Sequence, residues 1–300
     1  MHAAFKSAAL CARSVLAVAL FGIAAQSALA QNCEDPKVLR FSMIPSQESV
    51  RELSLYKPVL DLLAKNTGKK IEPYMPTSYA SVVEALLGKW VDVAVLGPES
   101  YVIAHNKDAS IEVFATYYKK GEGVQAAGPG YKSMLITKKG SKFSTIESTK
   151  GSVMLLVDPA STSGSLIPET VFGAKVVKTP LKQYFSKVAF SGGHDLSTLA
   201  IADGKADAAF VASHRFMNVV DTGKVKVSDF NILWQSPLLP QDPFVFRGTM
   251  CAPLKEKIVQ TFLTLGDTPE GKKYLENVGS EKFVKMGDAD YNIIREAGVK

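Results

Sequence analysis

The tetrapeptide Ser161-Thr162-Ser163-Gly164 directly follows the apolar run Leu155-Leu156-Val157 and the breaker Asp158-Pro159. Such a pattern reads as a buried strand, a sharp turn and the start of a helix. The first-turn N–H groups of a helix have no intrahelical acceptors and together carry about half a positive charge. Hydroxyl side chains at that position add O–H donors, and Gly164 lets the backbone approach closely. The result is a neutral cradle able to hold a phosphate-like dianion without a lysine. The same residues also suit a plain helix cap, since Ser and Thr are ordinary N-caps.

A second junction of this kind is Gly192-Gly193-His194-Asp195, after the strand pattern 187–190. There His194 can donate a hydrogen bond to an anionic oxygen. The plain alternative is Asp195 as a cap and His194 as a solvated loop residue. If the strands leading into 158–164 and 190–195 are parallel neighbours, the two junctions converge. Thr77-Ser78-Tyr79 and Gly97-Pro98-Glu99-Ser100-Tyr101 also open helices after strands, so Tyr79 and Tyr101 can each present a phenol to a cleft or pack as core aromatics. Tyr131 lies beside the turn Gly128-Pro129-Gly130. Asp242, between Pro240 and Pro243, is a carboxylate held rigidly; it faces an anion favourably only by accepting its proton or capturing a cationic substituent.

Catalytic hardware is absent from the sequence. Ser163, His194 and Asp195 supply the residue types of a hydrolase triad, but adjacent His-Asp orient one another poorly and no Gly-x-Ser-x-Gly elbow occurs. There is no P-loop, no dinucleotide fingerprint and no metal-ligand spacing, so no cofactor and no metal are expected.

The elements that must position these residues alternate β-rich runs with helical patterns, which indicates an α/β fold. Strands are expected at 38–43, 70–74 and 91–96, with helices at 50–66, 79–87 and from about 100. This rhythm predicts a largely parallel sheet. Strands at 113–118 and 132–138 follow, then a second α/β unit: strand 152–157, helix 163–172, strand 187–190, helix 195–203 and strand 206–211. The chain continues through 231–234 and the Pro-rich stretch 236–243 to helices at 254–265 and 271–278. The simplest architecture is two lobes joined by crossings near residues 128 and 235: lobe 1 from 31–128 and 235–300, lobe 2 from 129–234. A ligand cleft lies between lobes in such a design.

Residues 1–30 form a secretory leader: Lys6 and Arg13 precede an apolar core from Ser14 to Ala25, and Ala28-Leu29-Ala30 precedes the cleavage point. The core is too short to favour a retained membrane anchor. The formal charge of +6 falls by two with the leader, and no dense basic patch suggests nucleic acid. Cys33 and Cys251 remain after cleavage; after export they form either one bridge or two separate buried thiols.

Taken in order, Pro76-Thr77-Ser78-Tyr79, Gly97-Pro98-Glu99-Ser100-Tyr101, Gly130-Tyr131-Lys132-Ser133, Asp158 to Gly164, Gly193-His194 and Ser236 to Pro243 resemble the periplasmic substrate-binding proteins of phosphate, phosphite and phosphonate ABC importers. The resemblance spans essentially the whole exported chain. It implies a two-lobe, hinge-closing type II periplasmic binding fold, a monomer, and an inner-membrane ABC permease as partner. It also implies that Ser161, Thr162 and Ser163 hold the phosphorus oxygens, joined by Tyr79, Tyr131 and His194. Members that take 2-aminoethylphosphonate use a Glu and an Asp for the ammonium. The Asp corresponds to Asp242, whereas the Glu position corresponds to His214, a departure that leaves phosphite, phosphate or an alkylphosphonate as the expected ligand. Two other readings carry the same features: a sensor presenting its closed form to a receptor, and a secreted phosphoester or phosphonate hydrolase.

Overall fold

The computed structural model describes residues 33–46 and 49–299; the leader lies outside them. Two sheets organise the molecule. The first has strand order β13-β4-β12-β3-β1-β2 and the second β10-β6-β9-β7-β8. In the first, β1 (Val38–Met43), β2 (Lys70–Pro73) and β3 (Val93–Val95) are mutually parallel, linked by helices Ser49–Thr67 and Tyr79–Leu87. The helix Pro98–Lys107 then leads to β4 (Ile111–Lys119). In the second sheet β7 (Val153–Leu156), β8 (Lys187–Phe190) and β9 (Ala208–Ala212) are parallel in the same manner.

Neither sheet is as parallel as the sequence rhythm predicts. In the first, β12 (Phe244–Arg247) is inserted antiparallel between β3 and β4, and β13 (Ser280–Val284) pairs antiparallel with β4. In the second, β6 (Ser133–Lys138) runs antiparallel to both β9 and β10 (Phe230–Gln235). The two antiparallel insertions share a place in the chain: β6 and β12 are the strands through which the chain arrives from the other sheet. Each sheet thereby repeats one arrangement, three parallel strands followed by an incoming antiparallel strand.

The two crossings are tied to one another. Within them β5 (Gly130–Tyr131) pairs antiparallel with β11 (Leu239–Pro240). Gln241 N–H donates to the Pro129 carbonyl at 3.0 Å, and Ser236 Oγ accepts from Ser133 N–H at 3.0 Å. Gly130 has no room for a side chain, because a Cβ would lie 2.7 Å from Leu238 Cγ.

Each sheet is covered on both faces. Tyr56, Val59 and Leu63 of the Ser49–Thr67 helix and Ile258 and Phe262 of helix Ala252–Leu263 pack against β1 and β12. The opposite face takes Val82, Val83 and Leu86 together with Tyr101 and Ile294. The second sheet has its own two clusters, around Phe216 and Phe230 and around Phe172 and Phe210. Cys33 and Cys251 form a disulfide, which fixes the N-terminal segment beside β12, where Arg247 also pairs with Asp92 at 2.6 Å and with Glu34. No helix among the described residues is long and apolar enough to cross a membrane.

Candidate functional site

Strand β7 ends at Leu156, and the chain turns through Asp158-Pro159 into a helix that begins at Thr162. Its backbone winds wider than an α-helix: Leu166 N–H donates to Ser161 O at 3.1 Å and Val177 N–H to Phe172 O at 3.0 Å, both five residues back. Pro168 gives a local reason, since it has no N–H to continue the ladder. The carbonyls it leaves are taken from outside the helix. Ser163 O accepts from Ser133 Oγ at 2.6 Å, and Gly164 O accepts from Val157 N–H at 2.9 Å. The glycine is required by this fold-back: a Cβ at Gly164 would lie 2.4 Å from Val157 Cβ. The close approach at Gly164 is therefore made to the preceding strand, which locks the turn. Ser161 does cap the helix, its Oγ accepting from Gly164 N–H at 3.1 Å; its own O–H hydrogen is still available to donate.

β7 and β8 are parallel neighbours, so the 158–164 and 190–195 junctions meet. His194 is the first residue of helix His194–Ala202, after Gly193 as N-cap. It is a buried residue, in contrast to the solvated loop position that was the plain alternative, because its Nδ1 accepts the Ala212 amide at 3.1 Å. That bond leaves Nε2 to carry the proton of the neutral ring. Burial pushes the imidazole down to about 3, so at pH 7 His194 is a fixed donor. It cannot serve as a base in a Ser163–His194–Asp195 relay, because the nitrogen a carboxylate would orient is already occupied.

A small cavity, with room for about 10 Å³ of water-sized centres, lies between the sheets and is bordered by Tyr79, Tyr131, Ser161, Thr162, Ser163, His194, His214 and Asp242. All eight residues singled out in the sequence thus surround one space. Tyr101 does not: it is fully buried against Tyr291 and donates to Asp288 Oδ1 at 2.7 Å. Tyr131 meets the His214 ring edge-on at 4.7 Å. Burial holds the Tyr79 and Tyr131 phenols protonated, far above their ordinary range.

Five helix N-termini converge on this cavity. Tyr79 opens helix Tyr79–Leu87, Gly97 is the N-cap of Pro98–Lys107, and Ser161 caps the wide helix. His194 opens its helix, and Ala212 is the N-cap of helix Ser213–Asp221, which carries His214 and Arg215 in its first turn. Each terminus directs partial positive charge inward. The two units also touch directly here: Glu99 N–H donates to Thr162 Oγ1 at 2.7 Å, and Ser100 Oγ donates to the Ala160 carbonyl at 2.9 Å.

Arg215 is the cavity residue that sequence reasoning missed, along with Ile44, Gly97 and Ala212. The signal was present, because Val211-Ala212-Ser213-His214-Arg215 is a fifth strand-to-helix junction of the same type. Arg215 Nη2 donates to Asp242 Oδ2 at 3.0 Å, and His214 Nε2 lies 3.2 Å from that same oxygen. Burial pushes the His214 imidazole down to about 4, so the standing positive charge beside Asp242 is the guanidinium. Burial opposes the Asp242 carboxylate, but His214 and Arg215 outweigh it and hold the group well below the usual carboxylate range. The cavity wall is then net neutral, one carboxylate against one guanidinium, and its remaining polar groups are donors. Beyond Tyr79, His194 and Arg215 the cavity adjoins a wider, open cleft of about 120 Å³. Among the described residues no cluster of His, Cys, Asp and Glu could hold a metal ion.

Residues 41–291 match the family described as ABC transporter, phosphonate, periplasmic substrate-binding protein. The chain is 29% identical over 268 residues to the phosphonates-binding periplasmic protein of Escherichia coli K12, covering 88% of this chain and 76% of that one. It is also 29% identical over 233 residues to the phosphate-import protein PhnD of Mycolicibacterium smegmatis, covering 76% and 71%. Among solved structures, the binding-protein component of an ABC phosphonate transporter from Pseudomonas aeruginosa superposes with a TM-score of 0.78 at 27% identity, covering 88% and 86%. PhnD1 of Prochlorococcus marinus in complex with methylphosphonate gives 0.77 at 21% identity, covering 88% and 98%, a likeness of fold.

Proposed function

The chain belongs to the family of periplasmic substrate-binding proteins of phosphonate ABC transporters, and on that premise we propose that it captures a small phosphorus oxyanion in the cavity between its two units. The observation that carries this reading is the convergence of five helix N-termini and the Ser161–Ser163 hydroxyls on a cavity whose own charges cancel. A net-neutral wall rich in fixed donors suits a tetrahedral oxyanion, since each oxygen can accept two or three hydrogen bonds without a countercharge.

In this mechanism residues 1–30 export the chain and are removed. Lobe 1 (31–128 and 235–300) and lobe 2 (129–234) rotate about the paired crossings at β5 and β11. Ligand held first by the Ser161–Ser163 turn and His194 gains Tyr79 as the lobes close. The Glu99–Thr162 and Ser100–Ala160 hydrogen bonds then form only in the closed state, which gives the ligand its differential affinity for that state. The closed monomer docks on an inner-membrane permease. No bond is made or broken: His194 lacks a free basic nitrogen, and Ser163 therefore has no partner to activate it.

The relatives' names divide between phosphonates and phosphate, and the small volume of the inner cavity favours ligands with small substituents. Isothermal titration of the leader-free protein with phosphate, phosphite, methylphosphonate and 2-aminoethylphosphonate tests the reading. Binding of at least one is expected, without turnover. No heat with any of the four, while an unrelated metabolite binds, would remove the substrate class.

A further inference from the structure

An anion-binding cavity with a buried carboxylate in its wall poses an electrostatic problem. Asp242 is about 4% exposed, is ionised and borders the same space as the Ser161–Ser163 donors. Unneutralised, it would repel an oxyanion; it would instead attract a ligand that brings its own cation. The chain resolves this internally. Arg215 Nη2 and His214 Nε2 both reach Asp242 Oδ2, and with His214 neutral the guanidinium is the counter-ion. Arg215 also borders both the inner cavity and the wider cleft, so it stands where a substituent pointing away from the oxyanion cradle would pass.

We propose that Arg215 is the specificity-determining residue of this site: it occupies from within the chain the place beside Asp242 that a cationic ligand substituent would need. This deepens the function proposed above and rests on it. The consequence is selection by charge. A phosphorus oxyanion with a hydrogen, hydroxyl or short alkyl substituent meets a neutral wall. One with an ammonium group two carbons away must set that ammonium against the guanidinium, with Asp242 already neutralised. The helix N-termini add partial positive charge on the same side.

The test compares ethylphosphonate with 2-aminoethylphosphonate, which differ at the chain end by an ammonium, by isothermal titration. The wild-type protein is expected to prefer ethylphosphonate. Arg215→Met, which keeps much of the side-chain volume, exposes the Asp242 carboxylate. It should shift the ratio of the two affinities toward 2-aminoethylphosphonate by at least about 30-fold, the low end for truncating one partner of a buried charge pair. The double variant Arg215→Met/Asp242→Asn removes both charges and should restore the preference for ethylphosphonate. Far-UV circular dichroism and the melting midpoint establish that each variant is folded.

A wild-type protein that binds 2-aminoethylphosphonate as tightly as ethylphosphonate overturns the proposal. So does an Arg215→Met ratio within threefold of wild type. Loss of both ligands in folded Arg215→Met and in the double variant would mean that Arg215 grips the oxyanion itself, which also refutes the assignment. A wild-type protein that binds no phosphorus oxyanion at all would instead refute the proposed function, a separate outcome.

Discussion

Thr162→Val separates ligand contact from lobe closure. Valine replaces the hydroxyl by a methyl of similar size, so the perturbation is the loss of one polar atom. Thr162 borders the cavity, and its hydroxyl oxygen accepts the Glu99 amide at 2.7 Å from across the cleft. Losing a hydrogen bond to a charged ligand costs about 1.5–3 kcal/mol, and leaving Glu99 N–H unpaired in the closed state about 1–3 kcal/mol more. At 1.4 kcal/mol per decade the affinity should fall by roughly 10²- to 10⁴-fold. Ser100→Ala is the internal control. Ser100 Oγ bonds Ala160 O at 2.9 Å across the same cleft but does not border the cavity. It should weaken binding by roughly 5- to 100-fold, the cost of about 1–3 kcal/mol for leaving the Ala160 carbonyl unpaired, without the further loss of a ligand contact. Titration calorimetry gives the affinities, and small-angle scattering at saturating ligand reports closure. If Thr162→Val weakens binding no more than Ser100→Ala does, Thr162 is a closure contact alone, and the oxyanion does not sit on the Ser161–Ser163 turn.

Three further outcomes are expected. Gly164→Ala places a methyl 2.4 Å from Val157 Cβ and 2.9 Å from Ser161 Oγ; it should cost about 1–3 kcal/mol of stability by overpacking, read as a lower urea midpoint, and should weaken ligand binding with it. Cys33→Ser/Cys251→Ser should cost roughly 2–5 kcal/mol in urea titration while leaving ligand affinity unchanged, because neither cysteine borders the cavity; altered affinity would contradict that independence. His194 and His214 are held at about 3 and about 4, below their ordinary 6.5. The unfolded chain therefore binds more protons between these values, so stability is complete above about pH 6.5 and declines as the pH falls toward 4 and then 3. His194→Asn should flatten the dependence of the urea midpoint on pH; an unchanged slope would show that His194 is not buried as a neutral ring.

Much of the candidate site could be read from the sequence because strand-to-helix junctions have a compositional signature. The apolar run before Asp158-Pro159 and the hydroxyls after it marked the Ser161 turn, and the same signature marked Tyr79 and His194. Arg215 carried that signature too and was passed over, since a first-turn arginine ordinarily lies on a solvated face. Tyr101 shared the pattern of Tyr79, yet it is the fourth residue of its helix where Tyr79 is the first of its own, and it packs on Tyr291 and bonds Asp288 instead of the cavity. The helix expected at 163–172 winds wider than its sequence shows, with Ser133, a strand residue thirty positions earlier, donating to the Ser163 carbonyl that Pro168, five residues on, cannot serve.

By itself, then, the amino-acid sequence determined the alternation of strands and helices, the turns where backbone donors are left unpaired, and the family these features resemble, because each is encoded by neighbours along the chain. Tertiary structure alone decided three things. The Cys33 and Cys251 thiols are joined, each sheet takes an antiparallel strand that follows a crossing from the other sheet, and Asp242 is neutralised by Arg215. All three depend on groups far apart in sequence. Local composition can state what such groups are able to do, but burial and distance decide which partner each one finds.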